Sequence, residues 1–235
     1  MKTLMLYTPS ETHECGYLDD RQARSQYVDP RLHLSPEELN ALNRMGFRRS
    51  GRLLYRPDCP GCQACVPVRL RVEEMVFGRN FRKLLNRAAG WQLSVSDPVT
   101  DLGHYRLYER YITERHSDGD MYPPSTQSFQ EFLVDSFGTT RFLNAHHQGK
   151  LIATMVFDTF DDGLSSVYCF FDPDYESYSV GTVMILRLSQ LALALDKPFN
   201  YLGFRVEGCR KMEYKTRFRP LDAFISGVWQ PTDRD

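Results

Sequence analysis

The sequence predicts an α/β protein of the α+β kind: a mixed-sheet domain preceded by a small cysteine-containing N-terminal domain. Three observations carry this expectation. Up to about residue 75 the chain lacks long periodic helices, is rich in turn formers and holds four of its six cysteines. Beyond that point helical and strand periodicities alternate. In this second part strand pairs lead into one long apolar helix and then a further strand, the order of a mixed sheet with helices against it. The expected division is therefore 1–75 and 76–235.

Each element has a local reason. Ser35-Pro36-Glu37-Glu38 opens a helix over 37–45, with Ser at the N-cap, Pro at the first helical position and acids in the first turn; Gly46 stops it. Residues 47–55 alternate loosely and read as a hairpin around Ser50-Gly51. Val68, Leu70 and Val72 alternate with Arg69 and Arg71, which predicts a half-buried strand over 66–72. A basic amphipathic helix follows over 79–89, ended by Gly90, and then a strand over 91–95. Residues 101–115 place Leu102, Tyr105, Tyr108 and Ile112 on one helical face, and 128–137 reads as a second helix. Strands are expected over 140–146, 150–159 and 165–171, with turns at Gln148-Gly149 and Asp161-Asp162-Gly163. A strongly apolar helix over 180–195, a buried strand over 199–202 and a last strand over 222–229 complete the chain.

Composition excludes several classes. Hydrophobic residues make up 42% and charged residues 25% of the 235, ordinary for a soluble globular protein. Thirteen Tyr and 15 Phe point to an aromatic core. Residues 1–10 contain no apolar leader core. The longest apolar stretch, within 183–195, is broken by Arg187, Ser189 and Gln190 and falls short of the roughly 20 residues a bilayer requires. The expectation is a cytoplasmic protein with no membrane partner.

The net charge of −1 conceals segregation. From Arg44 to Arg87 eleven Arg and Lys face only Asp58, Glu73 and Glu74, and from Arg205 to Arg219 six face Glu207 and Glu213. Such a distribution fits a basic face for a polyanion, or a set of solvated arginines around a small domain.

Cys59, Cys62 and Cys65 form C-x2-C-x2-C, with Cys15 upstream. Four thiols at such spacing suit a tetrahedral zinc or iron–sulfur site, and Pro60-Gly61 permits the tight turn. The competing reading is four reduced, packed cysteines without metal. Cys169 and Cys209 read as ordinary buried small residues.

The strings FRRSGRLLYRPDCPGCQACVPVRL, CGYLDDRQARSQYVDP, SDGDMYPP, YSVGTVMILRLSQLALAL and YLGFRVEGCRKMEYKTRFRPLDAF resemble the bacterial aspartate/glutamate leucyltransferases. These are relatives of the eukaryotic arginyl-tRNA–protein transferases, and the resemblance runs from Cys15 to Trp229. It implies a GNAT-like acyltransferase fold in the C-terminal part. It also implies transfer of leucine from leucyl-tRNA to proteins bearing N-terminal Asp or Glu, which marks them for degradation in the N-degron (N-end rule) pathway. Leucine rather than arginine as the donated residue rests on resemblance to the shorter bacterial branch.

The implied chemistry sets requirements. The tRNA ester is already activated, so no cofactor is required for bond formation. A neutral amine must approach the ester carbonyl, an oxyanion must be stabilised, and the ribose hydroxyl must leave with a proton. Within this resemblance Asp118, Asp120 and Tyr122 of SDGDMYPP are the candidates for acid–base or amine-orienting work, with His116 beside them as a possible proton shuttle. Lys211, Tyr214, Lys215, Arg217 and Arg219 are candidates for reading the acceptor's carboxylate. Arg48, Arg49, Arg52, Tyr55 and Arg56 are the expected tRNA contacts. Before the apolar helix, SYSVGT has Gly181 but no second glycine, a departure from the pyrophosphate loop of acetyl-CoA-dependent GNAT enzymes. That departure weighs against an acetyl-CoA-dependent N-acetyltransferase. A zinc-ribbon RNA-binding protein would leave the C-terminal part without a role.

Overall fold

The computed structural model describes residues 4–232. The opening segment read above for a leader begins in residues 1–3, outside that range. A small sheet starts with β1 (Leu6–Tyr7). The ribbon β2 (His13–Glu14) and β3 (Gln22–Ala23) follows, then β4 (Ser25–Val28), helix α1 (Pro36–Arg44) and the hairpin β5 (Arg48–Ser50) and β6 (Leu53–Pro57). The antiparallel order is β1-β4-β6-β5. Helix α1 starts where the sequence indicates. The Glu38 amide donates to Ser35 Oγ at 3.3 Å, and the Ser35 amide donates to Glu38 Oε2 at 2.8 Å, a complete capping box. Its Leu39 and Leu42 bury against Val28, Phe47 and Leu54.

The rest of the chain supplies β7 (Cys65–Arg71), α2 (Arg79–Arg87), β8 (Gln92–Ser96), α3 (Leu102–Arg115) and α4 (Thr126–Phe129). After these come β9 (Thr140–His147), β10 (Lys150–Thr159), β11 (Gly163–Phe171), α5 (Val180–Ala194), β12 (Phe199–Val206), β13 (Leu221–Ile225) and β14 (Val228–Pro231). The large sheet has eight strands in the order β14-β13-β7-β12-β11-β10-β9-β8. Strand β7, early in the chain, lies between β12 and β13. The β11–β12 pair is parallel and its neighbours antiparallel, so the sheet is mixed, with the apolar α5 packed on β10, β11 and β12.

Two expectations change. The helix expected over 128–137 begins at Thr126, capped by Ser125, and widens into a π turn over Gln130–Val134. The single strand expected over 222–229 is a hairpin, because Ser226 and Gly227 both adopt positive φ (52° and 84°) and reverse the chain.

What positions the site is a failure of pairing. Strands β11 and β12 pair only at Gly163–Phe199, Leu164–Asn200 and Ser165–Tyr201. Beyond these pairs the strands part. Each carries a bulge at that point. Val156 pairs with Tyr168 and Phe157 with Ser166, leaving Val167 extra on β11. Tyr201 pairs with Arg69 and Gly203 with Val68, leaving Leu202 extra on β12. A bulge bends its strand and increases local twist. Two on facing strands therefore open a wedge, with Gly203 at φ 77° on its lip.

The small sheet is fastened to the large one beside this wedge. Arg49 and Asp158 form a buried ion pair at 2.7 Å. The Arg49 guanidinium also donates to Thr140 Oγ1 at 2.8 Å, and Thr140 Oγ1 donates to Asp158 at 2.5 Å.

Candidate active site between the parted strands

The wedge opens into a cavity of about 750 Å³. Its inner wall is apolar, formed by Phe132, Met155, Val167, Ile185 and Leu202. At one end stands the N-terminus of α5. Ser179, Val180, Gly181 and Thr182 line the cavity, and no side chain caps the helix. Its first amides and the positive end of its dipole therefore face the space.

Arg48 occupies the wedge. Its guanidinium donates to Ser165 Oγ at 2.5 Å and to the Ser166 carbonyl, where β11 has lost its parallel partner. Burial pulls its pKa below the ordinary arginine value, against the opposing charges of Tyr55 and Asp158, and nearby Arg49 adds to the lowering. No acid pairs with it among the described residues. The one carboxylate in the lining, Glu176, is engaged by Arg115 at 2.7 Å.

Lys215 is buried at the opposite lip. Its Nζ donates to the Phe204 carbonyl on the free stretch of β12 and approaches Met212 Sδ at 3.3 Å. Burial first, and the Arg48 charge second, lower its pKa from 10.5 to about 7. A large fraction is thus the free amine at neutral pH. Tyr214 lines the cavity, and burial pushes its hydroxyl up to about 12. His116 also lines it, 3.0 Å from the Tyr111 hydroxyl. Burial holds its pKa below the ordinary histidine value, and Arg115 and Lys211 act in the same direction against Asp118.

The structure distributes the sequence candidates unevenly. Lys211, Tyr214 and Lys215 line the cavity; Arg217 and Arg219 are exposed and outside its lining. Asp118, Asp120 and Tyr122 are exposed, and their loop sends His116 and Met121 into the cavity instead. Of the expected tRNA contacts, Arg48, Arg49 and Tyr55 line the cavity, and Arg52 is exposed. Arg56 is half-buried, donating to Gln26 and lying over the Phe47 ring. Arg49, committed to Asp158, is internal and presents no charge to solvent, a correction to the expected basic surface.

The cysteines divide between the small sheet's surroundings and the cavity. Among the described residues no group of three or more His, Cys, Asp or Glu is placed to hold a metal ion. Cys15, Cys59 and Cys62 lie near enough to Cys65 for their charges to act on its thiol. Cys59 Sγ is engaged with the Arg24 amide and carbonyl at 3.5 Å, and Cys65 is a strand residue paired with Val206. Burial raises the Cys65 thiol to about 11. Cys209 is buried as expected, whereas Cys169 is part of the cavity lining, its thiol pushed up to about 12 by burial.

Sequence reasoning found the 211–215 segment but missed Arg48 as an internal residue, and missed the bulges entirely. The expected strand stopped at Leu202, one residue before Gly203; in the structure it continues to Val206, and a glycine inside a strand marks a bulge or a close approach.

Parted parallel strands, a bulge on each lip and a helix N-terminus aimed between them define a mixed-sheet α/β protein with a ligand cleft between its strands. The family description "Arginine-tRNA-protein transferase, N terminus" matches residues 13–83, and "Arginine-tRNA-protein transferase, C terminus" matches residues 103–225. The chain belongs to this family of aminoacyl-tRNA–protein transferases. It is 41% identical to the aspartate/glutamate leucyltransferase of Marinobacter nauticus, covering 100% of this chain and 99% of that one. It is 42% identical to the protein of the same name from Alcanivorax borkumensis, covering 98% and 95%. Among solved structures it is similar to FemX at a TM-score of 0.48 and 8% identity, covering 88% of this chain and 81% of that one, a likeness too slight to add to the topology. No helix among the described residues is long and apolar enough to cross a membrane.

Proposed function

We propose that this chain transfers leucine from leucyl-tRNA to the N-terminal Asp or Glu of acceptor proteins. The observation that carries the reading is the composition of the cavity: an apolar inner wall and the half-buried Arg48 guanidinium, which forms no ion pair among the described residues. A leucyl side chain is matched by Phe132, Met155, Val167, Ile185 and Leu202. An arginyl group would need a carboxylate in that wall, and Glu176 is already engaged by Arg115. The acceptor's side-chain carboxylate is matched by Arg48, with Lys211 at the lip. An incoming Asn or Gln would leave that charge uncompensated.

In this reading the acceptor's α-amine attacks the ester carbonyl carbon. The C–N bond forms, and the oxyanion is met by the free amides of α5 and of the parted strands. The ester C–O bond then breaks, and the ribose hydroxyl departs with a proton. Lys215, partly neutral at pH 7, takes the proton shed by the attacking amine. His116 and Tyr214 flank the path; Asp118, Asp120 and Tyr122 would act from the mouth. The direct route involves no aminoacyl-enzyme, because the ester needs no further activation. The part of the chain before β7, whose strands form the small sheet, contributes Arg48 and Tyr55 to the cavity.

The test uses leucyl-tRNA, arginyl-tRNA and acetyl-CoA, each labelled, with peptides beginning Asp, Glu, Asn, Gln or Lys. Leucine should appear on the Asp and Glu peptides alone. Transfer of arginine or acetyl, or equal transfer to Asp and Asn peptides, overturns the reading.

A further inference from the structure

Helix α2 has a role the site does not account for. Between Glu74 and Asp97 the chain has no acidic residue. The helix carries Arg79, Arg82, Lys83 and Arg87, and all four are exposed. Asn80 and Asn86 share their surface, and the six together line one shallow depression. No acid pairs with these cations among the described residues.

A basic amphipathic helix would fit a membrane surface or a partner's groove if its apolar face were free. Here that face is used. Phe81 stacks on Phe218 with ring centroids 5.2 Å apart, and Leu84 and Leu85 pack on the main core. Only the cationic face is left, and a partner must be recognised by charge.

Its placement narrows the partner. The Arg87 guanidinium lies 4.9 Å above the Tyr178 ring, and Tyr178 immediately precedes Ser179 in the cavity wall. The C-terminal end of α2 thus stands at the rim of the cavity, and its nine residues run about 13 Å away from it. The cations recur at about one-turn intervals along this line. A duplex whose 3′ end enters the cavity would run its phosphates along such a track. With Arg49 internal and Arg48 in the wedge, the hairpin offers few phosphate contacts, whereas α2 carries four exposed cations that form no ion pair among the described residues.

We propose that the exposed face of α2 binds the phosphate backbone of the tRNA acceptor stem while the esterified 3′ end occupies the cavity. This rests on the tRNA-dependent reading above, and direct binding separates the two. The full-length protein and the triple variant Arg79→Gln, Arg82→Gln, Lys83→Gln are titrated with an acceptor-stem minihelix and with a single-stranded CCA oligonucleotide over a salt series. The variant should bind the minihelix at least about ten-fold more weakly at low salt, with a log–log salt slope smaller by roughly two to three. CCA binding and the melting temperature should stay at wild-type values. The charge-preserving triple Arg79→Lys, Arg82→Lys, Lys83→Arg should recover the slope. An unchanged minihelix slope overturns the proposal. So does equal weakening of both RNAs, which would place these cations on the single-stranded end. A rise in acceptor-peptide KM with unchanged minihelix binding overturns it too, giving the face to the acceptor protein. If wild type binds the minihelix yet transfers no leucine, the functional reading fails and the surface stands.

Discussion

Replacing Lys215 by methionine tests the burial on which the proposed proton acceptor depends. The side chains are close in volume, and the lysine is only 4% exposed. Burial first, and Arg48 second, lower its pKa from 10.5 to about 7, which corresponds to about 5 kcal/mol against the charged form. The unfolded chain keeps this proton up to about pH 10.5, whereas the folded chain releases it above about 7. Between these values the unfolded state binds more protons, so wild-type stability rises with pH, by up to about 1.4 kcal/mol per pH unit. Below pH 7 both states are protonated and the full penalty is present. Methionine carries no such penalty. The stability difference between variant and wild type should therefore favour the variant most at or below pH 7, and shift toward wild type by about 2.5 kcal/mol between pH 7.5 and 9.5. Urea unfolding at closely spaced pH values measures both curves. Parallel curves across that window would refute the burial argument. Turnover should fall roughly ten-fold or more in the same variant, and Lys215→Arg should not restore it, because guanidinium stays protonated.

Other expectations follow from single contacts. Arg49→Ala leaves Asp158 buried without its cation and should cost about 3–5 kcal/mol in chemical denaturation. Gly51→Ala should destabilise strongly, since a Cβ there would sit 2.1 Å from the Glu131 carbonyl oxygen at a φ of 56°; a melting curve within a degree or two of wild type would contradict it. Simultaneous alanine replacement of Arg48, Arg49, Arg52 and Arg56 should reduce the salt slope of tRNA binding by no more than about two, because Arg49 is internal and Arg48 lies in the wedge.

The elements themselves were legible because their causes are local. The capping box at Ser35 and Glu38, the Asp101 cap of α3, whose carboxylate accepts from the His104 amide at 2.8 Å, and the apolar run of α5 each act within a few residues. The basic amphipathic helix over 79–89 was likewise visible as a pattern, and the structure shortens it only to Arg79–Arg87. Less legible were ends set by contacts from afar, such as the π turn after Phe129 and the reversal at Ser226-Gly227.

The site's chemistry was largely beyond the sequence. Arg48, Arg49 and Arg52 are three arginines within five residues, and nothing local distinguishes them. Strand alternation puts Arg48 and Arg49 on opposite faces of β5, but only the large sheet decides that both faces are covered. Arg48 then meets the wedge, Arg49 meets Asp158 more than a hundred residues away, and Arg52 stays outside. Lys215 stands among cations in a segment that reads as surface, and its displaced pKa comes from the walls around it. By itself the sequence determined which residues form helices and strands, and through its long motifs the family. The tertiary structure alone decided where β11 and β12 part and which charges lie inside, because burial and strand register depend on residues distant in the chain.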